Sequence, residues 1–257
     1  MKRILIVNAD DCNLTQGVTE AILDCHDRGI VTSTTILVNL PVDSRMVRET
    51  KKRQSLGIGI HLNITLGRPV SNPKKIKSLL DPSDCFRKFQ SLLKPPRPKA
   101  DEIFHEYQSQ IELFQKIFGR RPTHADTHHQ VHDDPYFFQV IIRVARENRL
   151  PIRRSQLMRQ SGLLKKTGVR STDFIFGNLR PEGHWTSEAV RAILPNLPNG
   201  ISEIICHPGR NDSDLKSISS FTAGRETEWR IFRSKRLKAA VQRSGIVLSH
   251  YGLYDTG

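Results

Sequence analysis

The sequence contains no apolar run approaching the ~20 residues that a membrane-spanning helix needs, although 37% of its 257 residues are hydrophobic. That composition supplies a core for one large α/β domain or two small ones and excludes a helical membrane span. Met-Lys-Arg at the start precedes only the apolar residues 4–7, too few for a signal peptide, so the expected location is the cytoplasm. Cysteine is scarce: Cys12, Cys25, Cys85 and Cys206 lie far apart with no Cys-x-x-Cys pair, which argues against a zinc knuckle or a disulfide framework and leaves free thiols. The Rossmann glycine fingerprint and the Walker phosphate loop are both missing, which weakens a nucleotide reading. No internal repeat and no domain boundary stands out.

Acidic residues are also in deficit, 26 against 40 Lys and Arg, for a net charge of +14. Such an excess attracts nucleic acid, anionic membrane or an acidic substrate. Yet the cations are scattered over 48–53, 74–77, 152–154 and 233–238, and no basic run is interleaved with aromatics as in a single-strand-binding platform. The expectation is solvated faces and no specific nucleic-acid partner. A homodimer is compatible with the chain.

What is present is an alternation of two periodicities. β-rich runs lie at 3–8, 31–38, 57–63, 122–127, 151–155, 172–176, 201–207 and 245–250. Helical patterns occupy 15–28, with Gly29 as its cap, then 101–118, closed by Gly119, then 135–148 and 226–243. Strand–helix alternation with eight candidate strands predicts an α/β fold: a single domain over 1–257, a TIM-type (β/α) barrel, with an open doubly wound sheet as the alternative. The stretch 64–100 breaks the rhythm. With "PVSNPKK", "DPSDCF" and "KPPRPK" it is Pro-rich and basic, and it reads as a long insertion after the third strand, a loop or lid with one short helix near 84–93.

The polar residues gather where the strands end. The first strand, "ILIVNADD", runs into Asp10 and Asp11; the third carries His61; the fourth opens "THADTHHQVH", with His124, Asp126, His128, His129 and His132; the seventh ends in His207 and the last in His250. One Asp after a strand serves a turn or a cap, but two adjacent carboxylates repel each other and resist burial unless something offsets their charge. A lone His at a strand end is more often a hydrogen-bonded core residue than a ligand. Together, however, His and carboxylate from separate strands make a mononuclear metal site with open positions, because ligands gather at the C-terminal ends of parallel strands. One Asp then ligates the metal and the other acts on its water.

"NADD", "GIHLNIT", "THADTHHQVH" and "CHPG", together with "GIVTSTTILVN" at 29–39, resemble the motifs of the YdjC-like carbohydrate deacetylases, which include chitooligosaccharide deacetylases and the hopanoid-associated HpnK proteins. The likeness runs nearly the full length, in order and spacing. It implies a TIM-like barrel, often distorted, and metal-assisted hydrolysis of an N-acetyl group on an amino sugar. By motif position Asp11, His61 and His128 resemble the metal ligands, with His132 the rival for the third. Asp10 resembles the catalytic base and His207 the general acid. His124, Asp126, His129 and His132 are expected around the ligands or against substrate. One divalent ion, magnesium or zinc, is implied as cofactor. Alternatives are a metal-dependent hydrolase of another amide or ester, or a basic nucleic-acid-associated barrel without chemistry. The chain departs from the family where Cys12 and Asn13 replace the usual Phe-Gly; Asn tolerates a left-handed backbone, so the turn can survive.

Overall fold

The computed structural model describes residues 2–155, 167–177 and 183–254. In chain order the elements are β1 (Arg3–Cys12), α1 (Gln16–Arg28), β2 (Ser33–Ile36), α2 (Ser44–Lys51), β3 (Gly57–Leu62), α3 (Phe89–Leu92), α4 (Ala100–Phe118), β4 (Ala125–Thr127), α5 (Pro135–Asn148), β5 (Phe174–Phe176), α6 (Ser187–Ile193), β6 (Gly200–Cys206), α7 (Ser213–Ile218), α8 (Ala223–Phe232), α9 (Lys235–Arg243) and β7 (Val247–Ser249). The fold is α/β with parallel strand pairs. No helix among the described residues is long and apolar enough to cross a membrane.

Two of the expected elements differ. The stretch 151–155 forms a single parallel bridge, Ile152 to Ala125, rather than a strand. Pro151 has no N–H to extend the ladder, and its carbonyl accepts from Ala125 at 2.9 Å. The expected helix 226–243 is two helices, α8 and α9. Ser234 between them is extended (φ −71°, ψ 125°), and the Phe232 carbonyl accepts from Ile30 N at 3.1 Å. Gly29 makes that approach feasible: a Cβ there would lie 1.8 Å from the Phe232 oxygen.

The chain divides into two compact units. The first comprises residues 1–36, 44–58 and 172–257. Its centre is β1, paired with β2, β6 and β7, while β5 lies on β6. Leu5, Ile6 and Val7 are fully buried in succession, the continuous apolar run of a parallel strand covered on both faces. The β1–β6 register holds from Arg3 opposite Gly200 to Ala9 opposite Cys206, and it brings Asp10 and His207 to the same end. α1 buries a stripe of Val18, Ala21, Ile22 and Cys25, and Thr15 caps it by accepting from Val18 N.

The second unit comprises residues 37–43 and 59–171. Within it β3 and β4 pair with His61 opposite Asp126. α4 buries Ile103, Tyr107, Ile111, Phe114 and Phe118, and Gly119 ends it in the left-handed conformation (φ 66°). The segment 64–100 is tethered rather than loose. Ile64, Ile76, Leu79, Phe86 and Leu92 are buried. The fully buried Glu106 accepts from Val70 N (3.0 Å), Ser71 N (2.9 Å) and Gln110 Nε2 (2.7 Å). Gln110 in turn holds Asn63, accepting from its N at 2.9 Å and donating to its carbonyl at 2.6 Å.

Removing that carboxylate strands two backbone N–H groups, each costing roughly 1–3 kcal/mol. Glu106→Ala should therefore lower unfolding stability by about 2–6 kcal/mol, measured by urea denaturation, and should speed proteolytic cleavage near residues 68–72.

Candidate active site

In the first unit the sequence's paired carboxylates are separated by a kink in β1. The β1–β2 register passes from Ala9 opposite Thr34 to Cys12 opposite Ile36, one extra residue on β1. Asp11 takes up the bulge with φ 66°, and Asn13 follows at φ 74°. The turn tolerated by Asn13 thus survives, secured by Asn13 N donating to Thr19 Oγ1 at 3.1 Å. Cys12 is buried, and desolvation pushes its thiol up to about 11, which leaves it a packing residue rather than a nucleophile.

Asp10 and Asp11 are both buried, 2% and 3% exposed, with different partners. Asp10 accepts from Asn8 Nδ2 at 2.9 Å, and its other oxygen is 3.7 Å from His207 Nε2. Asp11 is paired with Arg225 at 2.5 Å. Arg225, itself buried, also donates through Nε to the Phe221 carbonyl at 3.0 Å. His207 is anchored through its backbone N–H, which donates to the buried Glu228 at 2.5 Å, while its ring meets Phe221 edge-on. Glu228 also accepts from Trp185 N at 3.2 Å. Burial raises its pKa, opposed in part by His207, the two N–H donors and Arg225. His250 is in this unit too; its Nδ1 accepts from Gly252 N at 3.0 Å.

In the second unit β3 and β4 set His61 beside Asp126, because directly paired residues of parallel strands share a face. His61 Nδ1 donates to Asp126 Oδ1 at 2.6 Å, and Arg153 Nη1 binds Asp126 Oδ2 at 2.8 Å, with the Asp126 and Arg153 side chains fully buried. Burial works to raise the Asp126 pKa; the Arg153 guanidinium and the His61 imidazole outweigh it, and the carboxyl is held well below the usual range. With Nδ1 occupied, Nε2 is the lone-pair atom of His61. His128 Nδ1 lies 3.3 Å from it. Of the two rivals for a third ligand, His128 is thus the one that meets His61. His132 instead sets its Nδ1 against Thr127 Oγ1 at 2.5 Å. His129 packs on His128, with ring centroids 4.0 Å apart. His124 is buried against Gly59, its Nδ1 2.9 Å from Thr123 Oγ1.

The 3.3 Å between His61 Nε2 and His128 Nδ1 is a hydrogen-bond distance, and it also fits two imidazoles on one tetrahedral zinc, whose nitrogens sit roughly 3.3–3.4 Å apart at bonds of ~2.0–2.1 Å. The Asp126 carboxylate behind His61 is the customary outer partner of a ligating imidazole, fixing its tautomer and orientation.

Arg153, Arg225 and Glu228 escaped the sequence reading. Arg153 sat in a run taken as a scattered cation cluster, and Arg225 one residue before an expected helix. Neither neighbourhood signals burial, since the partner carboxylates come from distant chain segments.

The chain matches the model of the YdjC-like proteins over residues 4–243. It is 31% identical to a carbohydrate deacetylase of Thermoanaerobacter pseudethanolicus, covering 98% of this chain and 99% of that one. It is 32% identical to a chitooligosaccharide deacetylase of Proteus mirabilis, covering 98% of each. A crystal structure from Enterococcus faecalis, of a protein named provisionally for cellobiose-phosphate cleavage, superposes with a TM-score of 0.89 at 31% identity, covering 98% of each chain.

Two outcomes follow from these contacts. Arg153→Met should cost about 3–5 kcal/mol, since it leaves a buried carboxylate without its cation, and the double change with Asp126→Asn should recover part of the loss in denaturant titrations. Of the four thiols, Cys85 alone is not buried; a chromogenic disulfide reagent at pH 8 should titrate one thiol in the native protein and four in guanidinium.

Proposed function

Because the chain belongs to the YdjC-like protein family, we propose that it is a metal-dependent hydrolase that removes the N-acetyl group from an N-acetylated amino sugar, acting as one deacetylase domain on a TIM-like barrel. The observation that carries this is the His61–His128 pair, spaced as two ligands of one ion and backed by Asp126. In this reading Asp11, His61 and His128 hold the metal. A carboxylate and two imidazoles suit zinc best by softness, and accept magnesium, manganese or cobalt less tightly.

When bound, such an ion lowers the pKa of a ligated water and polarises the acetyl carbonyl. The chain's residues do the rest. Asp10, held by Asn8, takes the proton of the attacking water as general base. His207 gives a proton to the leaving amine; its side chain is 24% exposed, so it reaches substrate, while Glu228 fixes its backbone. Arg225 orients Asp11 as a ligand. Asp126 and Arg153 hold His61 so that Nε2 is the atom that would ligate an ion.

Protein prepared without a His-tag should carry about one divalent ion per chain by elemental analysis and should release acetate from N-acetylglucosamine or N,N′-diacetylchitobiose. EDTA should abolish the release. Turnover of an unrelated ester with silence on every N-acetyl sugar would replace this reading with the rival hydrolase.

The two neighbouring carboxylates should fail differently. Asp10→Asn should keep the metal and lose roughly 10²–10⁴-fold in turnover, the usual worth of a general base, without rescue by added metal. Asp11→Asn should lose metal affinity and recover part of its rate at high metal concentration. It should also melt earlier, because Arg225 then stays buried without its carboxylate. The reverse pattern of metal loss would exchange the two roles.

A further inference from the structure

The first unit has a cavity of about 770 Å³ that the chemistry above does not use, and all of its lining belongs to that unit. It opens beside a seam in the sheet. β6 takes one edge of β1 from Arg3 to Ala9, so β7, opposite Ile4–Ile6, and β2, from Asn8 onward, share the other. Val7 lies between the two strand ends; its N–H donates to Thr32 Oγ1 and its carbonyl accepts from Thr32 N, each at 3.0 Å. Thr32, Ser249 and His250 line the cavity from the seam, and Ile30 and Leu248 give it an apolar wall. Ser249 stands opposite Ile6, which precedes Asp10 by roughly 13 Å along the strand, so the cavity lies apart from the paired carboxylates.

Its polar lining is cationic. Lys52, Arg53 and Lys238 stand against Asp27 alone, a surplus of two positive charges with the histidines neutral. Arg53 binds Asp27 through Nε at 2.8 Å and Nη2 at 2.6 Å, and Lys52 reaches Glu49 at 2.7 Å. Lys238 is half-buried and has no carboxylate partner among the described residues. Exposed cations elsewhere pair with an acid one turn away, as Arg230 does with Glu226; Lys238 has only Ser234, Lys235, Val241 and Gln242 at that spacing. His26 commits both ring nitrogens inside the protein, to the Val31 carbonyl at 2.8 Å and Ser55 Oγ at 3.1 Å. Burial lowers its pKa, and Arg53 and Lys238 lower it further against the Val31 carbonyl and Asp27, so these cations act on one small volume. The surroundings add to the field: residues 44–58 and 233–243 carry ten Lys and Arg against the single acid Glu49. A cleft lined by one sign of charge, with low-dielectric walls, focuses that field on an entering counter-ion.

We infer that this cavity is a binding site for a phosphate-bearing small molecule, distinct from the proposed site of deacetylation. The charge matches: a phosphate monoester carries about −1.5 to −2 at pH 7, against a surplus of two in the lining. Lysine binds phosphate as a point charge, the part Lys238 and Lys52 would take, while Arg53 stays on Asp27. The size exceeds phosphate alone: 770 Å³ lies within the ~300–1,000 Å³ of ligand pockets, and Ile30 and Leu248 offer apolar surface to the organic part of an ester.

Titration calorimetry and thermal shift at low ionic strength, with phenyl phosphate, inorganic phosphate and phenol as probes, test the site. Phenyl phosphate should bind at one per chain and more tightly than inorganic phosphate, and phenol should bind far more weakly than either. Lys238→Gln should raise the Kd for phenyl phosphate about 3–10-fold, as expected for one half-buried charged contact, and Lys238→Glu should raise it further. Lys116→Gln, which removes an exposed cation on α4, should leave it unchanged. Asp10→Asn should bind the probe like wild type, whether or not the chain proves to be a deacetylase. No binding of phenyl phosphate, or phenol binding as tight, would overturn the inference. So would equal losses in Lys238→Gln and Lys116→Gln, which would reduce the effect to net charge. Loss of binding in Asp10→Asn would overturn it too, by placing the probe at the paired carboxylates.

Discussion

Asp126 carries two ionic contacts in a place from which water is shut out, and much of the second unit is arranged to keep it charged. One oxygen takes the His61 N–H and the other the Arg153 guanidinium. Left alone, a carboxylate so deeply buried would stay protonated or would not be buried at all. Paired in this way it is held ionised, and the ionised form fixes the tautomer of His61. The constraint propagates into the sheet. The β3–β4 register places His61 opposite Asp126, and a slip of one residue would turn one of them to the other face. The same pairing explains why Arg153 is among the largest fully buried side chains despite the high cost of burying an unpartnered cation.

The first unit solves a related electrostatic problem by another route. Two neighbouring carboxylates cannot both be buried against the same partner. The bulge at the end of β1 and the left-handed Asp11 divide them: Asp11 meets a full positive charge on Arg225, and Asp10 meets the neutral amide of Asn8, with His207 close by. One faces a guanidinium and the other keeps an oxygen 3.7 Å from an imidazole. Glu228, by gripping the His207 backbone, does for that imidazole what Asp126 does for His61, though through the main chain rather than the ring.

The positive charge of the chain belongs to a different level of organisation. Pairs such as Arg230–Glu226, Arg143–Glu147 and Lys52–Glu49 sit on exposed helix faces at one-turn spacing, where each is worth only a few tenths of a kcal/mol. They tune surface potential and leave the fold to the core. The segment 64–100 combines the two levels: its apolar side chains and the Glu106 carboxylate tie it inward, while Lys74, Lys75 and Lys77 face solvent.

Local pattern was enough to read most of the elements and the chemistry-bearing positions. The apolar run 4–7, the stripe of α1 and the helical pattern of α5 are decided by neighbours within a turn or two, so periodicity rules reach them. The motif order likewise singled out Asp10, Asp11, His61, His128 and His207 as candidates from the sequence alone. What the sequence could not display is whatever depends on a distant partner. The break between α8 and α9 exists because the Phe232 carbonyl bonds to Ile30 N, and the 151–155 stretch is a bridge because its ladder stops at Pro151. Arg153 read as part of a solvated cation cluster and Arg225 carried no reading, until segments far away in the chain bring Asp126 and Asp11 against them. Residue type and spacing therefore determined which groups this protein offers as candidates for chemistry. Tertiary structure alone decided which of them are buried, paired and charged, because Coulomb and desolvation energies depend on distance in space and not on distance along the chain.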